Sequence, residues 1–253
     1  MKIATWNICS GISINDYKGE FFDKEKSANI DDVCLNEIAK LIKENEIDVI
    51  ALQEVITTPS FEYLNKLSSL SGLKYFKMFE NSPCHLVENS NFGIAILSKY
   101  PLEIVKKEFF KNPNLTKQTA KGLYKTHDKG FLCVKVCSTD PFNFLTLHML
   151  PFHRFDSHAL EFKEYFENFQ DFVQENNVVA CGDFNVVEGK EKLVQLLDRL
   201  SESHNFTFDE ITTFDNKKCA NMLIPKTITF SGKQIIKSEE TSDHFLCVMN
   251  IDI

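Results

Sequence analysis

The sequence predicts a mixed α/β layered sandwich, and three observations carry that prediction. Ten short β-branched or aromatic runs are bounded by turn residues, and amphipathic helical stripes separate some of them. The composition, 43% hydrophobic and 12% aromatic over 253 residues, is enough to bury a large core between layers.

The strand signals fall at 2–7, 47–52, 74–79, 92–98, 102–110, 130–137, 142–148, 177–181, 222–230 and 245–251. The first, Lys2-Ile3-Ala4-Thr5-Trp6-Asn7, lacks the apolar centre and small-residue cleavage site of a signal peptide and reads as an intact strand. Behind it, Cys9 to Ile30 shows no periodicity, a length uncommon for a plain connector, and reads as a binding loop or a disordered segment. Val33, Cys34, Ile38, Leu41 and Ile42 then recur at helical spacing behind the acidic start Asp31-Asp32. Phe61, Leu64, Leu67 and Leu70 make a second stripe, and Phe162, Phe166, Phe169 and Val173 a third and longest. A weaker fourth covers Leu193 to Leu200. Strand and helix alternate at both ends of a central run of strands, as two similar halves would. No linker or repeat marks a boundary, so one domain over 1–253 is expected.

Bulk properties exclude several functions. No apolar run approaches the roughly 20 residues of a membrane span, so stable membrane insertion is not expected. The formal charge is −8, and only Arg154 and Arg199 among the 28 basic residues are arginines. A protein gripping nucleic acid through a broad basic surface would look different. The eight cysteines are scattered with no C-x-x-C pair, which predicts reduced thiols and a cytoplasmic location.

Polar residues stand at the ends of otherwise apolar strands, where a rigid backbone can hold a side chain at a cleft. They are Thr5-Trp6-Asn7, Leu52-Gln53-Glu54, Leu147-His148, Gly182-Asp183-Phe184-Asn185 and Ser242-Asp243-His244. Taken singly, each has an ordinary explanation: a turn-forming Asn, a helix-capping acid, a hydrogen-bonded structural imidazole. Asp183 and Asn185, at i and i+2, point the same way if the chain stays extended.

The ordered set W-N, Q-E, L-H, G-D-F-N, S-D-H resembles the endonuclease/exonuclease/phosphatase superfamily. Phe92 to Leu102 is similar to that family's central strand and following turn, so the resemblance spans roughly residues 2 to 250. It implies a four-layered α/β sandwich, two mixed sheets face to face with helices outside, and a metal-dependent phosphoesterase cleft at one end. By the same resemblance Glu54, with Asn7 and Asp243, would hold Mg²⁺ or Mn²⁺, hard cations that favour oxygen ligands. Asp183 would orient or deprotonate the attacking water. Asn185 would donate to a phosphate oxygen, and His148 and His244 would contact the scissile phosphate.

One departure stands out. In Cys219-Ala220-Asn221-Met222-Leu223-Ile224, Asn221 occupies the place where the family usually carries an Asp that orients the second histidine. An amide can still orient His244 but brings no charge to hold its imidazolium. Asp215, six residues earlier, is an alternative partner.

Arg154, His153 and His158 are expected as exposed loop residues or as a rim that recognises a substrate phosphate. His85, His127 and His204 read as structural or surface residues, and a zinc site built on Cys133 and Cys137 lacks ligand spacing. Three functions follow: a nuclease-like phosphodiesterase; the same chemistry on a phospholipid, phosphoinositide or small phosphoester; or a non-catalytic binding module on the same frame. Tyr17, Phe21 and Phe22 would pack on a base or on a lipid headgroup. The oligomeric state has no sequence signal.

Overall fold

The structure, a computed structural model, describes residues 1–11, 32–58, 62–84, 89–120, 122–238 and 241–253. Tyr17, Phe21, Phe22, Phe61 and His85 lie outside the described residues. In chain order the elements are β1 (Lys2–Asn7), α1 (Asp32–Glu44), β2 (Val49–Thr57), α2 (Tyr63–Ser71), β3 (Tyr75–Pro83), β4 (Asn91–Ser98) and β5 (Leu102–Phe109). A hairpin of β6 (Thr116–Thr119) and β7 (Gly122–Lys125) follows, then β8 (Gly130–Val136) and β9 (Phe142–His148). After 3-10 turns at Phe152–Phe155 and Ala159–Phe166 come α3 (Glu167–Glu175), β10 (Val179–Asp183) and α4 (Lys190–Leu196). The chain closes with β11 (His204–Phe206), β12 (Ala220–Pro225), β13 (Thr229–Ile236) and β14 (Leu246–Asp252).

Twelve of these strands form two six-stranded mixed sheets, ordered β13-β14-β1-β2-β4-β3 and β11-β12-β10-β9-β8-β5. Side-chain alternation explains how they stack. In β1 and β2, Ile3, Val49 and Ala51 join Val134, Phe144, Val179, Cys181 and Met222 of the other sheet in one buried cluster between the sheets. The intervening Ala4, Trp6, Ile50 and Leu52 face outward onto Leu35, Ile38 and Ile42 of α1 and Leu64 and Leu67 of α2. On the far side Leu145, Leu147, Ala180 and Leu223 pack against Phe166, Phe169, Val173 and Leu193. Helix, sheet, sheet and helix make the four layers.

Two elements differ from expectation. The stripe from Phe162 to Val173 is not one long helix: it is a 3-10 segment followed by α3, with Phe162 at φ −121°, ψ 37° breaking the helical run. Phe162 stacks on Phe152 with ring centroids 4.8 Å apart, so tertiary packing overrides the helical period. The single run at 222–230 is divided between two strands, β12 and β13, that lie in different sheets.

Candidate active site

The parallel pairs β1–β2 and β9–β10 bring the C-terminal ends of four strands to one edge of the sandwich. β14 runs antiparallel to β1, so the turn before it arrives at the same edge. This topology gathers the five motifs at that edge, although Glu54 lies inside β2 and needs a bulge to reach it. One pocket there is lined by Glu54, His148, Asp183, Asn185, Asp243 and His244, together with Lys129 and Arg154.

Asp183 stands at its centre, 1% exposed. Its Oδ2 accepts from Asn7 Nδ2 at 3.0 Å and lies 3.7 Å from Nε2 of both His148 and His244. The other carboxylate oxygen accepts the Asn185 backbone N–H at 2.9 Å, while Asn185 donates its side-chain amide to the Met149 carbonyl. Asn7 Oδ1 meanwhile accepts the Cys9 N–H at 3.1 Å. Beneath them, Gln53 Nε2 donates to Thr5 Oγ1 within its sheet and to Thr146 Oγ1 across the sandwich, at 3.1 and 3.0 Å. Polar cross-links thus stand in for apolar packing at the site end of the inter-sheet core.

Glu54 reaches the pocket by breaking the strand rule. After inward Gln53, strict alternation would turn it outward. Instead Glu54 adopts φ 54° at a register shift between Leu52 and Val55. Such bulges re-aim side chains, at a cost of about 1–3 kcal/mol for a left-handed non-glycine residue. Its carboxylate accepts no hydrogen bond among the described residues and lies 3.8 Å from His148 Nε2.

His148 is held by a lysine. Lys129 Nζ donates to its Nδ1 at 3.1 Å, which fixes the proton of the neutral ring on Nε2, facing Glu54 and Asp183. Burial, then Lys129, His244 and Arg154, push the His148 pKa well below the usual imidazole range. Burial also lowers Lys129, against the pull of Glu54 and Asp183.

On the other side, Trp6 Nε1 donates to the His244 carbonyl at 2.9 Å, and Ser242 Oγ donates to Asn7 O at 2.6 Å. These bonds lock the Ser242-Asp243-His244 turn onto β1. Asn221 does not orient His244. It shares strand parity with Leu223, which packs outward, while Asp183 and its partner Ala220 face inward. Its Oδ1 accepts the N–H groups of Thr207, Phe208 and Met222, and its Nδ2 donates to Phe208 O at 2.6 Å. The amide is spent on the backbone beyond β11. His244 Nδ1 is buried without a hydrogen-bond partner among the described residues. Asp215 lies near enough for His244 to contribute to lowering its pKa. Burial opposes that lowering, and the Lys217 and Thr213 hydrogen bonds drive most of it.

Of the expected rim, Arg154 lines the pocket and shares a hydrogen bond with Tyr124. His158 points away, with Glu188 at 3.6 Å, and His153 is half-buried outside the lining. His127, expected as structural or surface, lines the pocket, whereas His204 is structural, bonded to Ser203 and Val178. Lys129 and Tyr124 carried no motif. Lys129 comes to His148 because Gly130 pairs with His148, a register invisible before the sheet is built.

The donor chemistry fits a hydrated hard cation. Among the described residues no group of three His, Cys, Asp or Glu forms a preassembled cage. A magnesium-type ion needs only one or two carboxylates and keeps its waters, and Glu54 and Asp243 line the same pocket.

A two-sheet sandwich with carboxylates, amides and imidazoles converging at one end defines a hydrolytic phosphoesterase class. The chain belongs to the Endonuclease/Exonuclease/phosphatase family, whose model matches residues 4–219. Among solved structures it is similar to a family protein from Leptotrichia buccalis (19% identity, all of both chains, TM-score 0.66). It is also similar to a Bacteroides thetaiotaomicron mannosyl-6-phosphatase (14%, all of both chains, 0.58). The human Nocturnin catalytic domain with bound sulfate matches at 18% over 100% of this chain and 93% of that one, TM-score 0.61. No curated protein sequence matches the chain.

Proposed function

We propose that the chain is a divalent-metal-dependent phosphoesterase that cleaves a phosphodiester by in-line attack of water. The observation that carries this is Asp183, buried between two imidazole Nε2 atoms at 3.7 Å and tied to Asn7. A carboxylate so held is preorganised to take a proton from water, and the Nε2–H groups beside it are aimed where phosphoryl oxygens gain charge. The water oxygen forms the new bond to phosphorus, its proton passes to Asp183, and the ester oxygen leaves with the bonding pair. His244, with Nε2 near both Asp183 and Asp243, is positioned to hold or protonate that oxygen. The remaining N–H of the Asn185 amide adds a neutral donor. Mg²⁺ or Mn²⁺, held by Glu54 and Asp243 with the second lone pair of Asn7 Oδ1, would polarise the phosphoryl group and offset leaving-group charge. Eight free thiols support a reducing, cytoplasmic setting.

The test is hydrolysis of bis(p-nitrophenyl) phosphate, p-nitrophenyl phosphate, an oligonucleotide and phospholipid vesicles with Mg²⁺ or Mn²⁺. Activity abolished by EDTA and cut at least about 100-fold by Glu54→Ala and by Asp183→Asn supports the reading. Inactivity on every substrate with either metal ends it and favours the binding module.

A further inference from the structure

The pocket has two walls of opposite charge. Glu54, Asp183 and Asp243 make the acidic one, and Lys129 and Arg154 the basic one. Lys129 forms no ion pair within 4 Å among the described residues, and the one acceptor it meets is His148 Nδ1 on a neutral ring. An ammonium carries three donors, so that contact leaves two unused on a residue that lines the pocket. Arg154 lines the same pocket, where it shares a hydrogen bond with Tyr124, and a guanidinium fork matches two oxygens of a phosphoryl group. The distribution of arginine sharpens the point. The other arginine, Arg199, is engaged on the outer surface by Asp171 at 2.7 Å and Glu167 at 3.9 Å, leaving Arg154 as the only one at the cleft.

Lys129 is set back from the place of the scissile phosphate. The His148 ring stands between them: Nε2 faces Asp183, while Lys129 sits behind Nδ1. We infer that Lys129 and Arg154 form an anion subsite for a second phosphoryl group, one imidazole width from the reacting phosphorus. The inference rests on the phosphoesterase reading for the place of the scissile group. It narrows the substrate class to compounds bearing a phosphoryl group beside the one attacked, such as a diphosphate or a phosphorylated strand end.

Calorimetric titration of the whole protein in a constant excess of Mg²⁺ tests this with two hydrolysis-resistant probes, methylenediphosphonate and methylphosphonate. Methylenediphosphonate also chelates the cation through both of its groups, so the loss of its preference in the variants, rather than the preference itself, reads the basic wall. Methylenediphosphonate should bind at least about tenfold tighter, consistent with one added charge-assisted contact. Lys129→Met and Arg154→Met should each remove most of that preference, read as the ratio of the two affinities within each variant, and Lys129→Arg should keep it. Equal affinity for the two probes, or a preference untouched in both methionine variants, overturns the subsite. Because the readout is binding, a preference that the methionine variants lose, in a protein inactive on every ester, would sustain the subsite and sink the phosphoesterase reading instead.

Discussion

Asn221 shows how one side chain changes meaning once its partners are known. Its Nδ2 donates to Phe208 O while Oδ1 collects three backbone N–H groups, in a site 2% exposed. Asn221→Asp, which would restore the family's usual acid, removes that donor and sets a carboxylate oxygen against a carbonyl. The expected result is a loss of about 1–3 kcal/mol in urea unfolding at pH 7, with no gain in turnover; an equally stable, faster variant would return Asn221 to the His244 network. His153 gives a second expectation. Burial, then Lys217 and Arg154, lower its pKa to about 4, and neither ring nitrogen has a hydrogen-bond partner among the described residues. Between the ordinary value of 6.5 and about 4, the unfolded chain takes up a proton that the folded one refuses. Stability therefore falls as pH drops through that window. Metal-free His153→Gln should show a shallower fall in urea midpoint there; identical slopes would contradict the assignment.

Among the elements, β10 is where fold and site meet, and Gly182 is why it fits. A Cβ at Gly182 would lie 2.1 Å from the Leu147 carbonyl oxygen, a backbone atom that cannot step aside. Gly182→Ala should cost about 1–3 kcal/mol through overpacking. It should also lower kcat more than it raises KM, since Asp183 is the next residue; unchanged stability and rate would mean the β9–β10 spacing is wrong. Such elements were legible where strand period and motif coincide, as in β1, β4, β9 and β10. The hairpin β6–β7 and the short β11 were not. Thr116–Thr119 and Gly122–Lys125 alternate between exposed and half-buried positions and carry no apolar stripe, and β11 has only three residues. The site followed the same division. Strand-end motifs exposed Asn7, Glu54, His148, Asp183 and the Asp243-His244 turn. Lys129 and the face of Asn221 depend on pairing register, which period-2 patterning leaves open until strand partners are known.

At the scale of the whole molecule, the charge of −8 and the basic wall act over different distances. The net field extends about 30 Å at 0.01 M salt and about 10 Å at 0.1 M, whereas Lys129 and Arg154 act within hydrogen-bond reach inside a pocket. A polyanion approaching from solution meets the repulsive field first, and a small ester meets it weakly. Raising ionic strength from about 0.01 to about 0.1 M at fixed free Mg²⁺ should therefore increase kcat/KM for a 20-nucleotide oligonucleotide by at least about twofold. The value for bis(p-nitrophenyl) phosphate should change less. A nuclease that docks nucleic acid on a basic surface behaves oppositely, because each neutralised phosphate releases counterions and salt weakens the complex. A steep fall in oligonucleotide turnover over this range would reveal a basic docking face beyond the pocket, and the acidic surface would then not govern encounter.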